Sequence, residues 1–181
     1  MKNIDYLNTL LRNGASQSEA FTFYDQLDIV EPEEMMGMWK GEEIVTGHPL
    51  EGLLSASGWY GKEFIDEENV HPLIFEKSDG ILYAVRPNLL PVNLLMQNLH
   101  NIPKQLLSTS MSLLRPIIKT NKSAARLRKV DYRGTVTSAM VYDNKGIIDV
   151  FRKIDENTLL GIMDIKEQVP DKVFFFCLTK A

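Results

Sequence analysis

The sequence predicts a mainly β protein, an antiparallel meander closing into a β-barrel, with N-terminal helices and a central helical insert. Three observations predict it. From Met35 onward the hydrophobic period is two rather than 3.6. Gly47-His48-Pro49, Asp79-Gly80, Asn144-Lys145-Gly146, Asp155-Glu156-Asn157 and Pro170-Asp171 punctuate the alternating runs with turn chemistry. The connections between the last four runs are short, as hairpin-linked strands require.

The elements follow in chain order. Tyr6, Leu7, Leu10 and Leu11 share one helical face that ends at Asn13-Gly14. Ser16-Gln17-Ser18-Glu19 forms a capping box for a second helix, whose apolar stripe is Ala20, Phe21, Phe23, Tyr24 and Leu27 before Pro32. Strands are expected over 36–46, 54–65, 72–77, 80–86, 127–142, 146–155, 158–166 and 172–180. The run 127–142 reads as one long strand with Val130, Tyr132, Val136, Met140 and Tyr142 on its apolar face, bent at Gly134 around a barrel corner. Residues 88–124 are Leu-rich and punctuated by Pro91, Pro103 and Pro116, which predicts two or three short helices.

Composition sets the class. The chain has 181 residues, 44% of them hydrophobic, and a single cysteine, so it can bury a core without disulfides or a structural metal. Cys177 lies in a strand apolar on both faces and reads as an inert core thiol. No apolar stretch approaches the roughly 18 residues of a membrane span, and Met1 to Asp5 lack the features of a secretory signal. A cytoplasmic protein, with at most peripheral membrane contact, is therefore expected. Charge is unevenly placed: residues 1–79 carry 16 acidic and 5 basic side chains, whereas residues 80–130 carry 8 basic and none acidic. No aromatic residue follows Tyr83 in that basic segment, so single-stranded nucleic acid lacks stacking platforms and is not an expected partner. The basic segment is expected to dock on the acidic remainder.

Gly37-Met38-Trp39-Lys40-Gly41, Gly58-Trp59-Tyr60-Gly61-Lys62 and His71-Pro72-Leu73-Ile74-Phe75 together resemble the GXWXG-domain family. Tyr132-Arg133-Gly134, Met140-Val141-Tyr142-Asp143, Asp149-Val150-Phe151-Arg152 and Leu160-Gly161-Ile162-Met163-Asp164 resemble the companion domain of unknown function that follows it. The resemblance implies one domain over 1–181, divided into a GXWXG half (20–80), an insert or lid (81–124) and a C-terminal meander (125–181). It implies no settled reaction. By analogy with lipocalins, fatty-acid-binding proteins and haem-binding nitrobindins, Trp39 is expected to plug one end of the barrel.

Candidate site residues follow from polar groups on apolar faces. With even positions inward on 146–154, Arg152 joins Ile148, Val150 and Ile154 and must be paired or meet an anion; Asp164, beside Leu160 and Ile162 on the next strand, is the expected partner. His48 and His71 each precede proline at strand or loop ends and are the acid/base candidates. Their spacing fits no metal signature, so no metal is expected.

The expected function is binding of a hydrophobic small molecule with an acidic head. Trp39, Trp59, Tyr60, Phe64, Tyr83, Tyr132, Met140 and Tyr142 would surround the ligand, with Arg152 near its head and Asp164 beside Arg152 completing the candidate ligand-binding set. An acid/base enzyme acting on a hydrophobic acid in the same cavity, an isomerase or lyase using His48 or His71, is the alternative. A haem-binding barrel is a lesser one; otherwise no cofactor is expected. A barrel packed solid, with the basic insert serving as a homodimer surface, is also compatible with this pattern.

Overall fold

The computed structural model describes residues 2–90, 113–166 and 172–181. Two helices, α1 (Asn3–Asn13) and α2 (Gln17–Asp25), precede ten strands. Gly14 ends α1 at φ +71°, with its N–H on Leu10 O. Ser16 and Glu19 cap α2 reciprocally, the box expected from their spacing. The strands are β1 (Gly37–Glu43), β2 (Trp59–Phe64), β3 (Val70–Glu76), β4 (Leu82–Val85), β5 (Lys119–Thr120), β6 (Ala125–Tyr132), β7 (Thr135–Tyr142), β8 (Ile147–Asp155), β9 (Thr158–Ile165) and β10 (Phe174–Lys180). A five-residue helix, α3 (Leu53–Ser57), stands where the second strand was expected to begin. Most of the insert expected over 88–124 lies outside the described residues; within them, Pro87–Leu89 forms a 3-10 turn and 113–118 are helical.

All pairings are antiparallel. Following them from β1 through β10, β9, β8, β7, β6, β3 and β2 returns to β1, so eight strands form a barrel-like ring. Strand β3 pairs with β6 at Val70 and with β4 from Ile74, so the sheet forks there and β4–β5 branch off.

The long strand expected over 127–142 is instead a hairpin. Tyr132 pairs with Thr135, and Arg133 (φ +54°) and Gly134 (φ +75°) make the two-residue turn. Both central residues have positive φ, as a turn matching the strand twist requires. Arg133 is held in this conformation by two hydrogen bonds to Asp25, at 2.8 and 2.7 Å, and by the Phe21 ring, whose centroid lies 4.2 Å from its guanidinium carbon. Because the chain reverses, the inward positions switch parity: Ala125 and Leu127 on β6, but Met140 and Tyr142 on β7, belong to the inner core. Val136, expected on the inner face, is 53% exposed.

Two cores result. The inner one fills the ring with Trp39, Phe64, Leu127, Met140, Phe151, Phe174 and Phe176. The second lies between the outer face of the sheet and the N-terminal helices, joining Leu7, Leu10, Phe23 and Tyr24 to Ile154, Leu160, Ile162 and Phe175. Strands β8 to β10 are thus covered on both faces. Cys177 is buried in the outer core, where burial pushes its thiol up to about 12.

The GxWxG segment has a packing explanation. Trp39 is 1% exposed, its indole N–H donates to Met35 O at 2.6 Å, and the Lys180 ammonium lies 5.4 Å from its ring. The missing side chain of Gly41 leaves room for the Trp59 ring. Across the ladder, Gly61 sits at φ +155° in an irregularity between β2 and β3, and a Cβ there would overlap the Trp39 carbonyl oxygen. Gly61→Ala should therefore lower stability by about 3 kcal/mol or more through strain and backbone displacement. Urea denaturation of the variant checks this, and a loss below about 1 kcal/mol would contradict it.

Candidate functional site

Charged groups on an inward face of a small ring are costly unless paired. Two are present. Lys62 on β2 and Asp149 on β8 point inward, their side chains 3% and 1% exposed, with Lys62 Nζ 2.7 Å from Asp149 Oδ2. Lys62 points inward with Trp59 because the irregularity at Gly61 adds a residue between them. Asp149 points inward because it alternates with Ile147 and Phe151.

The ammonium also donates to Pro72 O at 3.2 Å and lies 5.0, 5.7 and 6.0 Å from the ring centroids of Phe176, Trp59 and Tyr142. Such ring faces stabilise a desolvated cation. Asp149 is less well served. Its contact with Lys62 is short, and among the described residues no second donor reaches either oxygen. Desolvation raises its pKa from the ordinary 3.8, against the opposing charge and hydrogen bonding of Lys62. The Tyr142 phenol is pushed well above its usual range, first by burial and then by the Asp149 charge.

Both charges line a cavity of about 80 Å³ whose other walls are mainly apolar, among them Leu50, Trp59, Leu73, Phe174 and Phe176. Leu53 and Leu54 from α3, and Pro87 and Leu90 beyond β4, bound another side. A cavity of about 150 Å³ holds benzene, so this one takes a smaller fragment or the end of a chain. An underprovided carboxylate beside an ammonium in an apolar cavity can accept a proton from a bound molecule and stabilise negative charge developing on its oxygen.

The residues singled out from sequence are dispersed. Trp59 and Tyr142 line this cavity. Trp39, Phe64, Tyr83 and Met140 belong to the inner core, packed rather than lining. Tyr60 is half-buried and not among the described lining residues. The inward face expected for Arg152 is corrected. It lies on the outer face of β8 with Val150 and Ile154, 2% exposed, its guanidinium carbon 5.3 Å from the Tyr24 ring centroid. The even positions of β8 are apolar because they meet the N-terminal helices, not because they line the ring.

The expected Arg152–Asp164 ion pair does not form among the described residues. Arg152 pairs with Leu160 and Asp164 with Ile148, four residues apart, or about 13 Å along a strand. Asp164 acts instead on outward-facing Tyr132, whose phenol is raised to about 12 by burial first and then by that carboxylate. Neither histidine is among the described lining residues. His48 Nδ1 accepts the Leu50 N–H at 3.1 Å, its ring edge-on to Phe174; His71 Nε2 lies 4.0 Å from Glu63. Among the described residues no group of three or more potential metal ligands is gathered. No helix there is long and apolar enough to cross a membrane.

Two measurements follow from the Lys62–Asp149 geometry. Only between pH 3.8 and the raised folded value does folded Asp149 hold a proton that the unfolded chain has released, so its contribution to stability is fullest below pH 3.8 and falls as pH rises through the folded value. Carbon-13 NMR of the Asp149 carboxyl should show titration above 3.8, and a midpoint at or below it contradicts the assignment. Lys62→Met alone should cost about 3 kcal/mol or more by stranding a buried carboxylate, whereas Lys62→Met with Asp149→Leu should recover most of that loss. A double-mutant cycle in urea reads both, and two additive losses would contradict the coupling.

Comparison with known proteins agrees with the motifs. Residues 22–80 match the model described as GXWXG protein, and residues 123–180 match the domain of unknown function DUF4334. No curated protein matches the chain. A crystal structure of a protein from Thermomonospora curvata is similar over 100% of this chain and 99% of its own, with 31% identity and a TM-score of 0.71. With both domains matched in order and a relative similar along its whole length, the chain belongs to the GXWXG–DUF4334 family.

Proposed function

We propose that the protein is an acid–base enzyme, an isomerase that shifts a proton on a hydrophobic carbonyl compound whose reacting end enters the ring cavity. One observation carries the reading: Asp149, buried and with no donor but the Lys62 ammonium among the described residues, faces an apolar cavity. Asp149 takes a proton from the carbon next to the carbonyl, and the C–H electron pair becomes the C=C bond of an enolate. The carbonyl π pair moves to oxygen, where Lys62 stabilises it. Return of the proton from Asp149 to a more distant carbon of a conjugated enolate moves the double bond. Atoms and electrons balance without a further reactant. The acid/base role expected for His48 or His71 passes to Asp149 because neither imidazole is among the described cavity residues.

Binding without turnover is a second reading, favoured by the apolar lining and by the close packing of the inner core. One experiment separates the two. The protein is incubated in D₂O with short β,γ-unsaturated ketones, and deuterium uptake and double-bond position are read by mass spectrometry and NMR. Asp149→Asn should reduce exchange by on the order of 10²-fold or more. Binding of the ketones with exchange no faster than in buffer would refute the catalytic reading and leave the binding one.

A further inference from the structure

We infer that a second concavity, adjoining the ring cavity, receives a phosphate group carried by the same ligand. It has a volume of about 250 Å³ and shares Pro87, Tyr142 and Lys145 with the apolar cavity. Its walls carry three cations, Arg86, Lys122 and Lys145, with Asn88 and Asn144 and no carboxylate. Two other surface concavities are acidic, one bounded by Glu33, Glu67 and Glu68 and the other by Glu42, Glu43 and Glu51.

The pairing of the basic segment sharpens the contrast. Arg126, Arg128 and Lys129 are neutralised by Asp143, Glu68 and Glu31. Arg86, Lys122 and Lys145 have no carboxylate within ion-pair reach among the described residues. Lys145 spans both concavities, and its Nζ donates to Leu90 O at 3.2 Å. Like charges gathered without counter-charge repel one another, and an anion in their midst turns that cost into attraction. Three cations and two amides suit a phosphate monoester dianion, which offers more charge and more acceptors than a single carboxylate. The ligand's acidic head, expected at Arg152, is by this inference received beside Lys145, which lines both concavities. This substrate class, an apolar fragment joined to a phosphate, rests on the small-molecule site proposed above.

Calorimetric titration of the full chain with n-butyl phosphate and with n-butanol tests the inference. At low salt the phosphate should bind roughly tenfold more tightly or better, and the difference should shrink as salt rises. Arg86→Glu with Lys122→Glu should erase the preference, and Arg86→Gln with Lys122→Gln should reduce it; both residues are exposed, and circular dichroism verifies folding. Equal affinities, no binding of either probe, or a preference indifferent to both double variants would overturn the assignment. Binding to phosphatidic acid vesicles without binding of soluble butyl phosphate would overturn it in favour of a membrane surface. The two proposals fail separately. A phosphate preference without deuterium exchange refutes the isomerase and keeps this site, whereas exchange without the preference refutes this site alone.

Discussion

Closure of eight strands through the β2–β3 pairing is the constraint on which the remaining structure depends. A closed ring has an inside, and at eight strands that inside is about as wide as the side chains that fill it. On its other side β2 runs so close to the Trp39 carbonyl of β1 that position 61 must be glycine. The same irregularity turns Lys62 inward after Trp59, toward Asp149 on the far wall. Backbone closure and the buried charge pair are consequences of one local geometry.

The inward pair is poorly explained by stability. Apolar residues of similar volume would fill the space at lower desolvation cost, and the core around it is already aromatic and tightly packed. The ammonium is well cushioned by three rings, whereas the carboxylate is not comparably provided for. That asymmetry is what a site adapted to an incoming donor looks like. It also sets two environments side by side, Arg86, Lys122 and Lys145 with no carboxylate in ion-pair reach among the described residues, and, across Tyr142, an apolar cavity lined by a buried carboxylate.

Much of the architecture was legible from residue order. The period of two and the capping box at Ser16 follow from local chemistry that the fold keeps, and the burial of Trp39 from the resemblance of its motif to other barrels. The phase of β8 was not legible, for a physical reason. Its odd positions meet the ring interior and its even positions meet α1 and α2, so both faces are dry and the alternation that reports orientation is flattened. Arg152 then looked like the anomaly, although Asp149 was the inward charge. Phe151, the bulkiest residue of that strand, was the available signal, because it shares parity with Asp149. Lys62 was hidden differently: an added residue at Gly61 shifts the alternation in β2, and no periodicity count anticipates it.

The pairing of β1 with β10 has a consequence for the order in which the molecule can be made. Of the two strands beside β1, β2 follows soon in the sequence but β10 comes only after the other eight, and the N-terminal helices wait equally long for the sheet surface formed by β8 to β10. Such distant partners make for slow, late consolidation, during which apolar segments stand uncovered. The excess of carboxylates in residues 1–79 gives the waiting portion a strongly negative charge, and mutual repulsion between nascent chains then serves as its protection until the ring can shut.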